Sequence, residues 1–214
     1  MARGCCFYVT GNAAKNVRGL AAHIRQTLTT RNGTAKKYLQ IIKGVTGKMS
    51  NSEKLLIIDS REKPHAIEKI ISYFDRHEIE HVTSKLLFGD YMDYKNPLLV
   101  IDRKQNIAEL AKNCTVEHER FRRELDRVKL AGAELVILIE QNHYKNLRGE
   151  TVEVQDISDL IGWSSPHTIV TGEKVFRVLV SWCKKYPITA VFCDKRSTGR
   201  YIDEILYKGQ IGGK

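Results

Sequence analysis

Apolar and polar positions along the chain sort into two kinds of stretch: short runs that are apolar almost without a break, and longer segments with helical spacing. Leu55-Leu56-Ile57-Ile58, Leu98-Leu99-Val100-Ile101, Leu135-Val136-Ile137-Leu138-Ile139 and Ile188-Thr189-Ala190-Val191-Phe192-Cys193 are of the first kind, bounded by turn formers or charge, and predict buried strands. The Leu135 run is the most apolar and is expected at the centre of a sheet, with Glu140 ending it. A further strand is expected over 80–88, pairing beside the Leu98 run. Between these lie helices. Pro64 opens one in which Ala66, Ile67, Ile70, Ile71 and Phe74 share a face. Residues 107–130 predict one long helix with Leu110, Ala111, Phe121, Leu125 and Val128 inward, stopped by Ala131-Gly132-Ala133. Residues 173–186 give another, carrying Val175, Phe176, Leu179, Val180 and Trp182, and Thr198-Gly199 starts a closing helix to about Leu206. Residues 141–172, punctuated by Gly149, Gly162, Pro166 and Gly172, are the least regular part. Strands alternating with helices predict an α/β class of stacked layers, mostly parallel, with an early antiparallel meander.

Charge divides the chain at a different place. The net +10 is concentrated: residues 1–48 hold nine of the 35 lysines and arginines and no acid, leaving 26 cations against 25 acids beyond them. Basicity is therefore a property of the first segment, which also predicts two amphipathic helices, over 13–28 and 35–42. A phosphate-contacting arm and a transit peptide compete there with an accessory extension, or a start upstream of Met49; the last reading is favoured because composition changes sharply at Met49. Residues 209–214 read as a tail. Five cysteines without Cys-x-x-Cys spacing suggest reduced thiols in an intracellular, cytoplasmic protein, with Cys114, Cys183 and Cys193 packing as small apolar residues. No apolar run approaches the roughly 18 residues of a membrane span. The seven histidines show no ligand spacing, and Trp163 and Trp182 are expected in the core.

Candidate chemistry collects where predicted strands stop. Asp59 and Glu62 follow the first, Gly89-Asp90-Tyr91 follows the second, and Asp102-Arg103-Lys104 ends the third. Side chains alternate along a strand, so Asp102 and Lys104 share a face and Arg103 takes the other. Carboxylates converging at strand ends suit a hard divalent cation such as Mg²⁺, which can activate a water toward a phosphodiester. Charges after an apolar strand are more often a solvated end, so one triplet alone carries little. Glu119-Arg120-Phe121-Arg122-Arg123 reads first as a solvated helix face with intrahelical ion pairs, and Lys195-Arg196 sits before a helix start, where capping and phosphate contact compete.

Asp59-x-Arg61-Glu62, Gly89-Asp90-Tyr91 and the acid-Arg103-Lys104 triplet, in that order, resemble the nuclease domain of the XPF family, structure-selective endonucleases of the Asp-(Asp/Glu)-x-Lys, restriction-enzyme-like superfamily. Phage-type members are especially similar through Asp102-Arg103-Lys104-Gln105, Glu119-Arg120-Phe121, Thr171-Gly172-Glu173 and Phe192 to Gly199. The resemblance implies a three-layer α/β/α fold with a central mixed sheet, a nuclease domain over 53–208, and a phage or prophage origin. It implies a Mg²⁺- or Mn²⁺-dependent endodeoxyribonuclease acting on branched or flapped DNA, with no nucleotide cofactor, and leaves room for a homodimer. By position, Asp90, Asp102 and Asp59 would hold metal, Glu62 would complete the acidic cluster, and Lys104 would be the catalytic lysine. Arg61 and Arg103 would support the site, and Arg120, Arg123, Lys195 and Arg196 would meet DNA. A nuclease-fold protein that binds DNA without cutting is the alternative. The chain departs from the family pattern in having Asp102 where Glu is usual, Ala108 with Glu109 where an Asp is usual, and no Gly-rich hairpin between helices after Leu206.

Overall fold

The computed structural model describes residues 54–165 and 169–208. The basic segment 1–48, with its two expected helices, and the 209–214 tail lie outside the described residues. The strands are β1 (Leu55–Asp59), β2 (Glu80–Ser84), β3 (Tyr91–Asp93), β4 (Leu99–Lys104), β5 (Glu134–Ile139), β6 (His143–Lys145), β7 (Thr151–Glu153) and β8 (Ile188–Phe192). Six of them make one sheet in the order β2-β1-β3-β4-β5-β8, while β6 and β7 pair as a separate ribbon. β3 alone runs against its neighbours; the pairs β1–β2, β4–β5 and β5–β8 are parallel. Consequently β1 and β4 finish at the end of the sheet where β3 begins.

Among the described residues five α-helices cover the two faces: α1 (Pro64–Arg76), α2 (Ile107–Cys114), α3 (His118–Ala131), α4 (Gly172–Lys185) and α5 (Thr198–Asp203), the last running into a wider turn over Glu204–Lys208. Each begins or ends where the sequence supplies a reason. Proline occupies the first turn of α1, Asn106 caps α2 by accepting from the Glu109 amide at 2.8 Å, and Gly132 closes α3 in the left-handed conformation. Alternate strand residues then bury against different helices. Ile57, Met92, Val100, Leu135, Ile137 and Ile139 pack with α2, α3 and α4 through Leu110, Phe121, Leu125, Val128, Val175 and Leu179. Leu56, Ile58, Tyr91, Ile101, Val136 and Leu138 pack with α1 and α5 through Ile67, Ile70, Phe74 and Ile202. The result is the expected three-layer α/β/α arrangement around a mixed sheet. No helix among the described residues is long and apolar enough to cross a membrane.

Several expectations need correction. The helix expected over 107–130 is two, because the Thr115 hydroxyl donates to the Ala111 carbonyl at 2.7 Å, in place of the Thr115 amide, which turns to Lys112. Val116 points into solvent at the break, and α3 restarts in a new phase that brings Phe121 onto the sheet. The strand expected over 80–88 stops at Ser84 and lies at the sheet edge, parallel to β1. Residues 85–90 instead cross the end of β1 as a loop, buried through Leu86 and Phe88, and the neighbour of β4 is the unforeseen three-residue β3. The irregular segment holds the β6–β7 ribbon, in which Tyr144 is buried. β5 is buried but stands second from the β8 edge, so β3 and β4 occupy the centre. Cys114 and Cys193 are buried as expected, whereas Cys183 is exposed on α4. Trp163 and Trp182 are in the core.

Gly89 makes the turn from the crossing loop into β3. Its φ of 66° is left-handed, and a Cβ there would meet the Val100 side chain and stand 2.9 Å from the Ile101 carbonyl oxygen. Gly89→Ala is expected to lower stability by about 1–3 kcal/mol, from backbone strain and overpacking, read as a lower urea midpoint at unchanged slope.

Candidate active site

The reversal of β3 determines what meets at the end of the sheet. β1 delivers Asp59, β4 delivers Asp102 to Lys104, and Asp90 stands at the entry of β3, its amide donating to Ile101 O at 2.7 Å and its carbonyl accepting from the Asp59 amide at 2.8 Å. Beyond Ile101 the ladder has no further β3 residue to pair with. The Arg103 amide bonds the Asp90 carboxylate instead, at 2.8 Å from Oδ2. A side chain thus takes the place of a strand partner and fixes the direction of the carboxyl.

Alternation puts Asp59, Asp90, Asp102 and Lys104 on the face covered by α2 and α3, and Arg103 on the face covered by α1 and α5. Lys104 is nearly buried, 2.7 Å from Asp102 Oδ2 and 2.9 Å from Oδ1, and its ammonium lies 5.2 Å from the centre of the Phe121 ring. Of the two contacts only that to Oδ1 has hydrogen-bond geometry, so the buried Oδ2 lacks a donor. Burial works against the Lys104 charge, but the Asp102 and Asp90 carboxylates outweigh it and hold the pKa above that of an ordinary lysine. Half-buried Asp90 shows the opposite balance: burial raises its pKa, the Asp102 carboxylate raises it further, and Lys104 recovers only part, leaving it well above the usual carboxylate range.

The other two candidate acids have different company. Asp59 is fully buried and accepts from the Arg61 amide at 2.7 Å, Arg61 Nε at 2.7 Å, an Arg61 terminal nitrogen at 2.9 Å and the Leu86 amide at 2.7 Å. Burial pushes its pKa up, and these donors more than offset that, so the carboxyl stays below the usual range. Asp59 therefore pins the crossing loop to the end of β1. Glu62 turns to the α1 face and binds Arg103 at 2.7 Å. Arg103, buried, also binds Glu140 at 3.0 Å, and Glu140 accepts from the Thr198 hydroxyl at 2.8 Å. Burial works against the Arg103 charge, and Tyr91, Glu62 and Glu140 together leave its pKa raised.

Around the rim, Glu124 of α3 accepts from the Gly89 amide at 3.0 Å, and Arg120 pairs with Glu117, with Asp102 among the charges that raise its pKa. Arg122 is engaged with Glu119 at 2.8 Å and Asp126 at 3.0 Å, as a solvated helix face would be; Arg123 is exposed. Lys195 and Arg196 are exposed on a turn after β8, at the same end of the sheet but two strands along from β4, with Asp194 capping the turn at 2.8 Å. Glu109 caps α2 by accepting from the Gln105 amide at 2.8 Å, which occupies the acid nearest Ala108. A cavity of about 610 Å³ lies beside Asp59 and Glu62, between α1 and the outer strand β2. Sequence reasoning missed Glu140 and Thr198, reading them as a strand end and a helix start. A glutamate closing the most apolar strand was the available signal, because a buried carboxylate needs a partner.

Asp90→Asn keeps the acceptor for the Arg103 amide and removes the carboxylate facing Asp102. A raised pKa in the folded state means that Asp90 costs stability once pH exceeds its unfolded value of about 3.9. In EDTA the variant is expected to melt above wild type at pH 7, with the difference vanishing below about pH 4.

Comparison with known proteins places this geometry. The ERCC4 domain model matches residues 58–204, which run from the last two residues of β1 through the end of α5. No curated protein matches. Among solved structures, XPF from Aeropyrum pernix aligns with a TM-score of 0.50 at 13% identity, covering 72% of this chain and 64% of that one. XPF from Aeropyrum pernix in complex with DNA aligns with a TM-score of 0.49 at 14% identity, covering 75% and 68%. The chain thus spans about two thirds of the length of these structures, and at such identity the first of them speaks to the fold alone. The family model covers well over half of the sequence, and the chain belongs to the ERCC4 domain family.

Proposed function

We propose that the chain is a metal-dependent DNA endonuclease, selective for branched or flapped DNA and using Mg²⁺ or Mn²⁺. The observation that carries this reading is the meeting of Asp90, Asp102 and Lys104 on one face at one end of the sheet. Membership of the ERCC4 domain family supports a DNA nuclease, and nucleases of that family generally depend on divalent metal.

The donor set fits a hard divalent cation. Asp102 Oδ2 is a buried oxygen without a hydrogen-bond donor, and Asp90 keeps Oδ1 beyond the oxygen held by Arg103. Among the described residues no group of three or more His, Cys, Asp or Glu is assembled for a metal, and Asp59 is already served by Arg61 and Leu86. Two carboxylates are what Mg²⁺ ordinarily takes from a protein when water and substrate phosphate supply the rest. A cation bound there would lower the pKa of a coordinated water and counter charge on the phosphate.

The chain's own residues supply orientation and charge. Lys104, kept as an ammonium by Asp102 and Asp90, donates to the phosphate oxygens as negative charge builds there. In that state it has no lone pair to act as a base. Phe121 closes the space beneath it and excludes water, strengthening its field. Arg120 stands at the rim, where exchanging Glu117 for a phosphate would engage it with DNA, and Arg123, Lys195 and Arg196 offer exposed cations to flanking phosphates. Contacts of this type fix position without reading sequence, which suits recognition of branch geometry.

The test is a panel of flap, fork, four-way junction and linear duplex DNA with and without Mg²⁺. Wild type is expected to cut branched substrates only with Mg²⁺, and Asp90→Ala and Lys104→Ala to lose at least about 100-fold in rate while still binding DNA. Undiminished cutting by both variants overturns the assignment. Binding that ignores EDTA, with no cutting across the panel, would favour a non-cutting DNA-binding protein.

A further inference from the structure

Glu140 stands outside the acid–lysine constellation yet touches Lys104 and Arg103, the residue whose amide orients Asp90. Its amide donates to the Lys104 carbonyl at 2.8 Å, extending the β4–β5 ladder by one step at the end of the sheet. Its carboxylate crosses to the α1 face, where one oxygen takes the Arg103 guanidinium at 3.0 Å and the other takes the Thr198 hydroxyl at 2.8 Å. Arg103 is in turn gripped by Glu62 at 2.7 Å. Glu62 lies after β1, Arg103 on β4, Glu140 after β5 and Thr198 at the start of α5, so three segments meet at one guanidinium and a fourth is tied in through Glu140.

The backbone of Arg103 serves the other face. Its amide holds Asp90 Oδ2, so the side chain that the network grips and the amide that orients Asp90 belong to one residue and cannot shift independently. A planar guanidinium bonded at two separate nitrogens has little freedom to rotate. Fixing it anchors the side chain of Arg103 and, together with the ladder bond from the Glu140 amide to the Lys104 carbonyl, resists any shift of β4 that would displace the flanking Asp102 and Lys104. Glu140, Arg103, Glu62 and the Thr198 hydroxyl are all buried or nearly so, where the low dielectric makes each bond hard to exchange for water.

We infer that Glu140 is a positioning residue: acting through Arg103 and locked by Thr198, it sets Asp90 and Lys104 from the opposite face of the sheet without itself meeting substrate. This rests on the proposed nuclease reading for its catalytic consequence, but its structural content stands apart. The oxygen geometry suggests how the lock works. The single hydroxyl proton of Thr198 has two acceptors in reach, Glu140 at 2.8 Å and the Lys195 carbonyl at 3.2 Å, and the shorter bond to the carboxylate pins the start of α5 to the group it orients.

The full chain carries the test. In Glu140→Gln, single-turnover cleavage of a flap substrate in Mg²⁺ is expected to slow 10- to 100-fold, while the DNA dissociation constant stays within twofold. Thr198→Val should slow it in the same direction by a smaller factor, and Thr198→Ser should restore it. A second readout needs no activity: amide hydrogen exchange at Arg103 should accelerate at least tenfold in Glu140→Gln or Thr198→Val while amides of 135–138 keep their protection. Should Glu140→Gln fail to fold, the Thr198→Val and Thr198→Ser pair delivers both readouts. Wild-type rate and unchanged Arg103 exchange overturn the inference, as does acceleration spread over the whole sheet, which marks general loosening. If wild type cuts no DNA, the nuclease reading fails, and localised exchange at Arg103 still decides whether Glu140 positions the strand.

Discussion

Everything at the working end of this molecule depends on one short strand running backwards. With β3 inserted between β1 and β4, the sheet brings the ends of two parallel strands to the start of a third, and three chain segments distant in sequence converge within a few residues of one another. A sheet parallel throughout would place the start of that strand, and Asp90 with it, at the far end. The reversal requires the chain to cross from the edge strand β2 over the end of β1, and Asp59 makes the crossing possible by holding the Leu86 amide. An acid read as part of the reactive cluster thus acts first as the anchor that delivers another acid.

The two faces of β4 divide the electrostatic work. On the α2 and α3 face, Asp90 and Asp102 stand close with a single ammonium between them, an arrangement that raises the cost of ionising Asp90. On the other face, Arg103 is outnumbered by carboxylates that are nevertheless well bonded. A crowded cluster of acids backed by one whose carboxylates are each held by a charged donor is what preorganisation requires: the second holds rigid what the first would otherwise push apart.

Much of this was legible in the sequence, for reasons that differ by residue. The strands of the core announce themselves because burial on both faces demands unbroken apolar runs, and the shared face of Asp102 and Lys104 follows from a period of two. β3 was illegible because three residues carry no periodicity, and Tyr91-Met92-Asp93 becomes a strand only by being clasped between two others. The break at Thr115 was hidden because Phe121, Leu125 and Val128 continue a plausible stripe, and only the hydroxyl back-bond shows where the helix yields. Glu140 and Thr198 were invisible as a pair, since no spacing along the chain links residues 58 positions apart.

The brevity of β3 also sets how the site can fail. Tyr91 and Met92 are wholly enclosed, so the strand is held at least as much by what its side chains fill as by its few ladder bonds. Local opening and global unfolding are therefore separable here. A cavity beneath either side chain would let the strand detach and carry Asp90 out of register while β1, β4 and β5 stayed paired with their helices. The molecule would then look native by its melting curve and its secondary structure, and its reactive end would be dismantled.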